Sequence, residues 1–381
     1  MSFSTRIAAE LRGDRVVWAI LVLLGLFSIL AVYSSTGTLA YRERGGNTEA
    51  YLFKHGIILA AGFVVTYFAH LLHYRRYMNW SPVLLPMAVI LLLYTMMLGP
   101  VINEARRWIV LPVIGLSFQT SDFAKLALII YVARAISSKQ DYIEDFRSAF
   151  LPIIVPVVVV CGLIAPADLS TSIILFLACL LMMFVGRVAL KYIGLLMVTG
   201  GVVFVLLIML GRTFPEHIRV ATWESRLQQF YSPEPGGEDT YQIDQAKIAL
   251  GNGGLTGVGP GNSTQRNYLP YAHADFIYAV ICEEYGVLGG ATIIGLYLLL
   301  FFRVTRLITK SPKAFGAMVA MGLSLVIVVQ AFFHIGINVN LLPVTGLTLP
   351  LISMGGTSLL FTCIAFGIIL SVSKYIESVA E

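Results

Sequence analysis

The sequence predicts an all-α polytopic integral membrane protein, with about ten transmembrane helices and one large extracytoplasmic loop between the seventh and eighth. Three observations carry that prediction. The 381 residues are 57% hydrophobic and only 12% charged, with mean hydropathy +0.82, more apolar surface than a soluble chain of this length could hide. Apolar runs of membrane-spanning length recur throughout. Basic residues are unevenly placed: if spans alternate from a cytoplasmic N-terminus, 15 of the 26 fall on that same side. Five of the others sit in one long loop, where the positive-inside bias counts for little. Both termini are therefore expected in the cytoplasm.

In chain order the spans are read at 16–34, 52–72, 81–99, 121–137, 149–165, 168–186, 190–211, 274–302, 314–339 and 354–373. The first run is long enough to span and no small-x-small cleavage site follows it, so it reads as a retained helix. The whole of 1–381 is expected to be one membrane domain, with 212–273 as its large loop. Cys161, Cys179, Cys282 and Cys363 all lie in apolar runs, where small buried residues are expected rather than a disulfide framework or thiolate metal site. No GxxxxGK[ST] or GxGxxG register occurs, so nucleotide binding is unsupported; nucleic acid is not an expected partner.

The outside connections hold most of the chemistry. Arg106-Arg107-Trp108 precedes an apolar ribbon too short to span and broken by Pro112 and Gly115, which fits a re-entrant or interface-lying segment. Asp122 and Lys125, three residues apart at a helix start, share one face and fit an ion pair. Asp168, ahead of Ser170, Thr171 and Ser172, fits either a helix cap or a polar group facing a cavity. The loop 212–273 shows one short helix, Tyr241–Leu250, stopped by Gly251, and an acidic patch, Glu234–Asp239, that reads as its mobile part. Glycines at 251, 253, 254, 257, 259 and 261 suggest close backbone approach to a ligand or to membrane.

The next span carries Asp275 in its expected first turn, at the outer mouth. Glu283 falls about 80° around and about 12 Å deeper, where it could line the same cavity, while Glu284 points the opposite way and needs its own partner. Charge inside a bilayer costs roughly 2.5–3.5 kcal/mol per group even on gentle scales, so these acids call for compensation. The last connection, LLPVTGLTLPLISMGGTS, reads as a broken or re-entrant approach to the final span. Cations on the outer side, among them Arg106, Arg107, Lys125, Arg219, Arg226 and Lys247, run against the positive-inside bias. A lipid-linked diphosphate would satisfy both the charge and the amphipathic setting. Asp275 at a helix N-terminus is expected to be ionised and able to accept a proton from a hydroxyl nucleophile. A low pKa makes a weak base, so the site would have to raise it.

The stretch YQIDQAKIALGNGGLTGVGPGNSTQRNYLPYAHADFIYAVICEEYG, together with ARRWI…FQTSDFAKLALIIY and LPVTGLTLPLISMGGTS, resembles the SEDS family (shape, elongation, division and sporulation) of peptidoglycan glycosyltransferases. The resemblance covers nearly the whole chain, and Arg106-Arg107-Trp108 with GLTLPLIS is closer to its division branch than to its elongation branch. It implies a bacterial plasma-membrane enzyme that polymerises lipid II onto a nascent glycan strand beside a class B penicillin-binding protein, within division or elongation machinery. It implies Asp275 as base, Arg106, Arg107, Lys125, Lys247, Gln265 and His273 as substrate-binding residues, and Asp122, Asp168, Glu283 and Glu284 as supporting acids. No tightly bound cofactor is expected; a divalent cation, Mg2+ or Mn2+, would accompany the diphosphate. Three departures stand out: aspartate at 122 where the family has glutamate, Gln119-Thr120-Ser121 for Gln-Pro-Ser, and a displaced proline with Ser170 for glycine around Asp168. A lipid flippase or transporter is the alternative class, compatible with midplane acids and broken helices.

Overall fold

A computed structural model describes residues 13–37, 39, 48–101, 106–111, 116–213, 219–232, 237–309, 311 and 313–380. The basic tail before Gly13, the loop at 40–47, Pro112, Gly115 and the start of the acidic patch at 233–236 lie outside the described residues. Each predicted span falls on a helix. These are α1 (Arg15–Ser35), α2 (Thr48–Leu71), α3 (Tyr74–Leu98), α4 (Thr120–Ser138), α5 (Leu151–Ile164), α6 (Leu169–Val185) and α7 (Leu190–Thr213). The long loop contributes α8 (Val220–Tyr231) and α9 (Glu238–Gly253), and α10 (Ile277–Ile308), α11 (Ala314–Asn338) and α12 (Thr357–Ala380) complete the bundle. Among the described residues eight helical stretches are long and apolar enough to cross a membrane by themselves. The two others are α6, with 17 residues, and α4, which carries Asp122, Lys125 and Arg134 within 19. This is a polytopic helical membrane protein.

Burial orders the bundle. α11 lies at its centre, with 20 of its 25 residues buried against α10, α4, α6 and α12; Gly316, Ala317, Ala320 and Gly322 let those neighbours approach closely. α7 is the opposite case, burying only Leu196 and Gly211 of 24 residues, so its apolar side chains are left for lipid. α2 and α12 pack through small residues: a Cβ on Gly62 would strike Cys363 Sγ, and one on Gly367 would strike Ala69. Across that contact Thr66 donates to the Cys363 carbonyl at 2.9 Å. At the end bearing the N-terminus, Asp14 caps α1 through Val16 N–H at 2.9 Å, ion-pairs with Arg303 of α10, and donates its own N–H to Ser373 at 2.6 Å. One buried acid thus joins three helices.

Several expectations need correcting. The ribbon after Trp108 is a β-hairpin, β1 (Trp108–Leu111) paired antiparallel with β2 (Leu116–Gln119), Trp108 opposite Gln119. Pairing lets a short apolar segment satisfy its own backbone. The long loop holds two helices rather than one. α8 was missed although Val220, Trp223, Leu227, Phe230 and Tyr231 recur at helical spacing; Val220 is buried, and Trp223 stacks on Phe204 with centroids 6.3 Å apart. α9 runs through Gly251, which faces open space, and ends at Gly254 with φ 51°.

Part of the glycine block packs into a break in α10, where Gly253 and Gly257 meet its backbone. Gly286, with φ 68° and ψ −168°, interrupts the helix. The freed carbonyls of Glu283 and Glu284 accept Val258 N–H and Gly259 N–H, each at 3.0 Å. In return Val287 N–H donates to Gly254 O at 2.9 Å and Leu288 N–H to Leu255 O at 3.3 Å. A Cβ on Gly253 or Gly257 would collide with the carbonyls of Cys282 or Glu284. Glycine is required here because backbone meets backbone.

Candidate functional site

Asp275 sits in the turn before α10, two residues short of the helix rather than in its first turn. Three successive carbonyls of that turn are held from outside it. Met354 N–H donates to His273 O at 3.0 Å, Ser353 Oγ to Ala274 O at 2.7 Å, and Asn338 Nδ2 to Asp275 O at 3.0 Å. Asn338 Oδ1 also accepts Ala279 N–H at 3.1 Å, so its amide occupies both groups that would form the next helical bond. Gly346, with φ 69°, faces the carboxylate; a Cβ there would lie 3.6 Å from Asp275 Oδ2.

The site acts against the low value a helix N-terminus would give. Asp275 is pushed up from the usual carboxylate value to about 6, first by burial and further by Asp168, while Arg107 and Arg226 pull it down. A carboxylate poised there is ionised for the most part at neutral pH yet basic enough to take a proton.

The charges that act on Asp275 come from distant parts of the chain. Arg107, just ahead of the hairpin, bonds Asp168 at 2.9 Å, and its carbonyl receives Thr120 N–H at 3.3 Å. Asp168 fills both roles left open by its sequence. Its other oxygen caps α6 through Thr171 N–H at 3.0 Å, and the residue lines a recess of about 100 Å³. Arg106, Arg107, Arg219, Thr120 and Ser121 line the same recess, against an apolar wall that includes Leu92 and Leu163. Cations beside a greasy wall suit an anionic headgroup on an apolar chain.

Other expected site residues are not gathered there. Lys125 pairs with Asp122 at 2.8 Å and donates to Gln330 Oε1 at 3.2 Å, facing a second cavity of about 40 Å³ between α4, α11 and α12. Asp122 Oδ2 is buried without a partner among the described residues, as the shorter aspartate side chain would leave it. Lys247 lies on the exposed face of α9, 3.6 Å from Asp244. His273 belongs to the Asp275 turn through its carbonyl, whereas Gln265 donates its backbone N–H to Glu283 at 3.2 Å.

Glu283 does not line a cavity with Asp275. It is 1% exposed and enclosed by the glycine loop, accepting from Ser263, from Thr264 Oγ1 at 3.0 Å, and from Thr264 N–H at 3.3 Å. Glu284, equally buried, accepts from Ser34 of α1, whose hydroxyl also receives Arg266 Nη1 at 2.9 Å. Both acids hold the loop onto the helix. The break at Gly286 reorients neither toward the recess, because their backbone carbonyls are already committed to that loop.

The 344–356 segment is non-helical backbone inside the bundle, and side chains from three helices satisfy it. His334 Nδ1 meets Leu347 O at 2.7 Å, Gln330 donates to Thr348 O at 2.9 Å, Tyr297 to Pro350 O at 2.5 Å and Ser28 to Ile352 O at 2.9 Å. Asn338, Ser353, Gln330 and Tyr297 were the contributors that sequence could not single out. Their polar groups act on backbone far away in the chain, and no spacing signals that.

Fold and site together define a polytopic membrane protein with a basic, amphipathic recess whose Arg107 and Asp168 act electrostatically on Asp275. The class narrows to one family: the cell cycle protein family FtsW/RodA/SpoVE matches residues 14–378, and the chain belongs to it. A probable peptidoglycan glycosyltransferase FtsW of Geobacter sulfurreducens is 33% identical, covering 96% of both chains. The Haemophilus influenzae protein of the same name is 34% identical over 97% of this chain and 92% of its own. Stage V sporulation protein E of Bacillus subtilis is 33% identical over 95% and 97%. A chain of a peptidoglycan synthase complex has the same fold, with TM-score 0.71, 24% identity and coverage of 96% and 98%. The rod shape determining protein RodA of Thermus thermophilus follows at TM-score 0.68, 22% identity and coverage of 95% and 96%.

Proposed function

We propose that this chain is a peptidoglycan glycosyltransferase that polymerises lipid II into glycan strands for septal wall synthesis, with Asp275 as its general base. The observation that carries the mechanism is the turn that holds Asp275 ahead of α10, where burial pushes its carboxyl up to about 6 against the pull of Arg107 and Arg226. The class of enzyme rests on relatives at 33–34% identity over almost the whole chain, which bear that activity in their names. Asp275 takes the proton of the acceptor sugar's hydroxyl as that oxygen attacks the donor's anomeric carbon. The bond from that carbon to the diphosphate oxygen breaks, and the diphosphate carrier leaves with inversion.

In this reading Arg106, Arg107 and Arg219 neutralise the diphosphate in the recess, and its apolar wall receives the start of the lipid chain. Lys125 and Lys247 act on substrate only at longer range. The described residues contain no cluster of three or more metal-ligating side chains. A divalent cation would therefore travel with the diphosphate and use at most one or two carboxylates. The recess faces outward from a bacterial plasma membrane, with both termini in the cytoplasm. A class B penicillin-binding protein is the expected partner, in keeping with the fold shared with a synthase-complex chain.

The test is polymerisation of purified lipid II by the reconstituted protein, alone and with a cognate penicillin-binding protein, beside Asp275→Asn. Glycan strands from wild type and none from a well-folded variant support the assignment. Strands from both variants remove Asp275 as base. Lipid II movement across the bilayer without strands from either indicates a transporter.

A further inference from the structure

We propose that Asn338 and Ser353 are positioning residues, which keep Asp275 out of α10 and hold its turn with the carboxylate facing Gly346. The inference rests on the reading of Asp275 as base. Its carrying observation is where the Asn338 amide lies. In an uninterrupted helix Ala279 N–H would donate to the Asp275 carbonyl four residues earlier. Asn338 is inserted between them, giving Nδ2–H to Asp275 O at 3.0 Å and taking Ala279 N–H on Oδ1 at 3.1 Å. A side chain from α11 thereby replaces the first helical bond of α10. Ala279 N–H turns also to Phe276 O at 3.1 Å, the tighter spacing of a helix that starts late.

The amide itself is fixed. Asn338 is 0% exposed, and Nδ2 gives a second bond, to His334 O at 2.9 Å. Ser353 acts beside it, donating to Ala274 O at 2.7 Å while accepting Leu349 N–H at 2.8 Å. The turn so held is not relaxed. Tyr271, whose carbonyl accepts Asp275 N–H at 3.0 Å, has φ 55°, and Leu351 in the opposing segment has φ 68°. Non-glycine residues persist there only when their surroundings over-determine them. Were Asn338 apolar, the two groups it occupies would be each other's natural helical partners. The turn would wind into α10, and Asp275 would become a first-turn residue facing the positive end of the helix dipole.

This makes Asn338→Leu informative, because the backbone groups it frees can satisfy one another and no buried polar group is stranded. Reconstituted wild type, Asn338→Leu, Ser353→Ala and Ser353→Thr are compared for lipid II polymerisation rate against pH, for KM, and for melting temperature. Asp275→Asn serves as the reference. The charged groups acting on Asp275 are common to all: Arg107, Arg226 and Asp168, with His273 in the turn and His334 on α11 as titratable neighbours. The expected result is a loss in kcat of about ten- to a hundredfold in Asn338→Leu, with KM within about twofold. The acid limb of its pH profile moves below that of wild type, since Asp275 regains helix stabilisation. Ser353→Ala shows the same changes in smaller measure, and Ser353→Thr, which keeps the hydroxyl, restores them. Should Asn338→Leu fail to fold, the Ser353 pair decides. Rates that fall only in step with melting temperature, with an unmoved acid limb, reduce both residues to structural ones and overturn the proposal. An active Asp275→Asn overturns the underlying assignment instead, a result separable from the first because it requires no change at Asn338.

Discussion

Asp275 is costly to the fold and useful for that reason. Burial raises its pKa to about 6, so at neutral pH the folded protein holds an ionised carboxylate that the unfolded chain would solvate better. The sign follows: this group's penalty is fully present above about pH 6 and is relieved as pH falls toward the ordinary carboxylate value. Asn cannot ionise, so Asp275→Asn should stabilise the protein at pH 7.5 by about 1–2 kcal/mol, allowing for partial solvent screening, and should melt higher while losing activity. A lower melting temperature would contradict the burial account. Arg107 pulls the Asp275 pKa down, so Arg107→Gln should shift the acid limb of activity to higher pH as well as weaken substrate binding. A pH titration of initial rates reads that shift. Asp275 was legible in sequence as an acid at the mouth of a span. Its pKa was not, because the burial that raises it and the charges of Arg107, Arg226 and Asp168 come from distant parts of the chain.

At the scale of elements, the glycine loop and the break in α10 are one unit. Four backbone hydrogen bonds replace helical ones there, and Glu283 and Glu284 supply side-chain anchors on either side. Gly286→Ala should destabilise the protein by about 1–3 kcal/mol from backbone strain alone, and the Leu255 carbonyl in contact adds to that. Gly251→Ala, inside α9 with nothing within 4 Å, should instead stabilise by about 0.5–1 kcal/mol. Melting temperatures of the two variants test the contrast. The sequence marks this region as a place where backbone comes close to something. It does not say what, since a glycine reports a missing side chain and not the identity of the neighbour. The pairing of Trp108–Leu111 with Leu116–Gln119 was not legible for a related reason: an apolar ribbon too short to span does not announce whether it pairs with itself.

Across the whole molecule, burial runs from the central α11 to the almost wholly exposed α7. Single cysteines at Val198, Val202 and Val205, which are 53–65% exposed, should react with a membrane-soluble maleimide in intact vesicles. A cysteine at the buried Leu196 should not. The four native cysteines are all buried and should leave the background low. The span positions were the most legible part of the fold, because bilayer thickness imposes a length and a composition that any one segment reveals. The recess was the least legible, because it brings together Arg107, Asp168 and Arg219 from three separate connections, and the first two also act on Asp275.

The rate of lipid II polymerisation between about pH 5 and pH 8, with the protein held in one lipid composition, tests the central role of Asp275 most directly. The account predicts a rate that rises through about pH 6 as the base loses its proton, then levels, with the rise absent from the residual rate of Asp275→Asn. A profile flat through that interval, or one that Asp275→Asn retains, would contradict it.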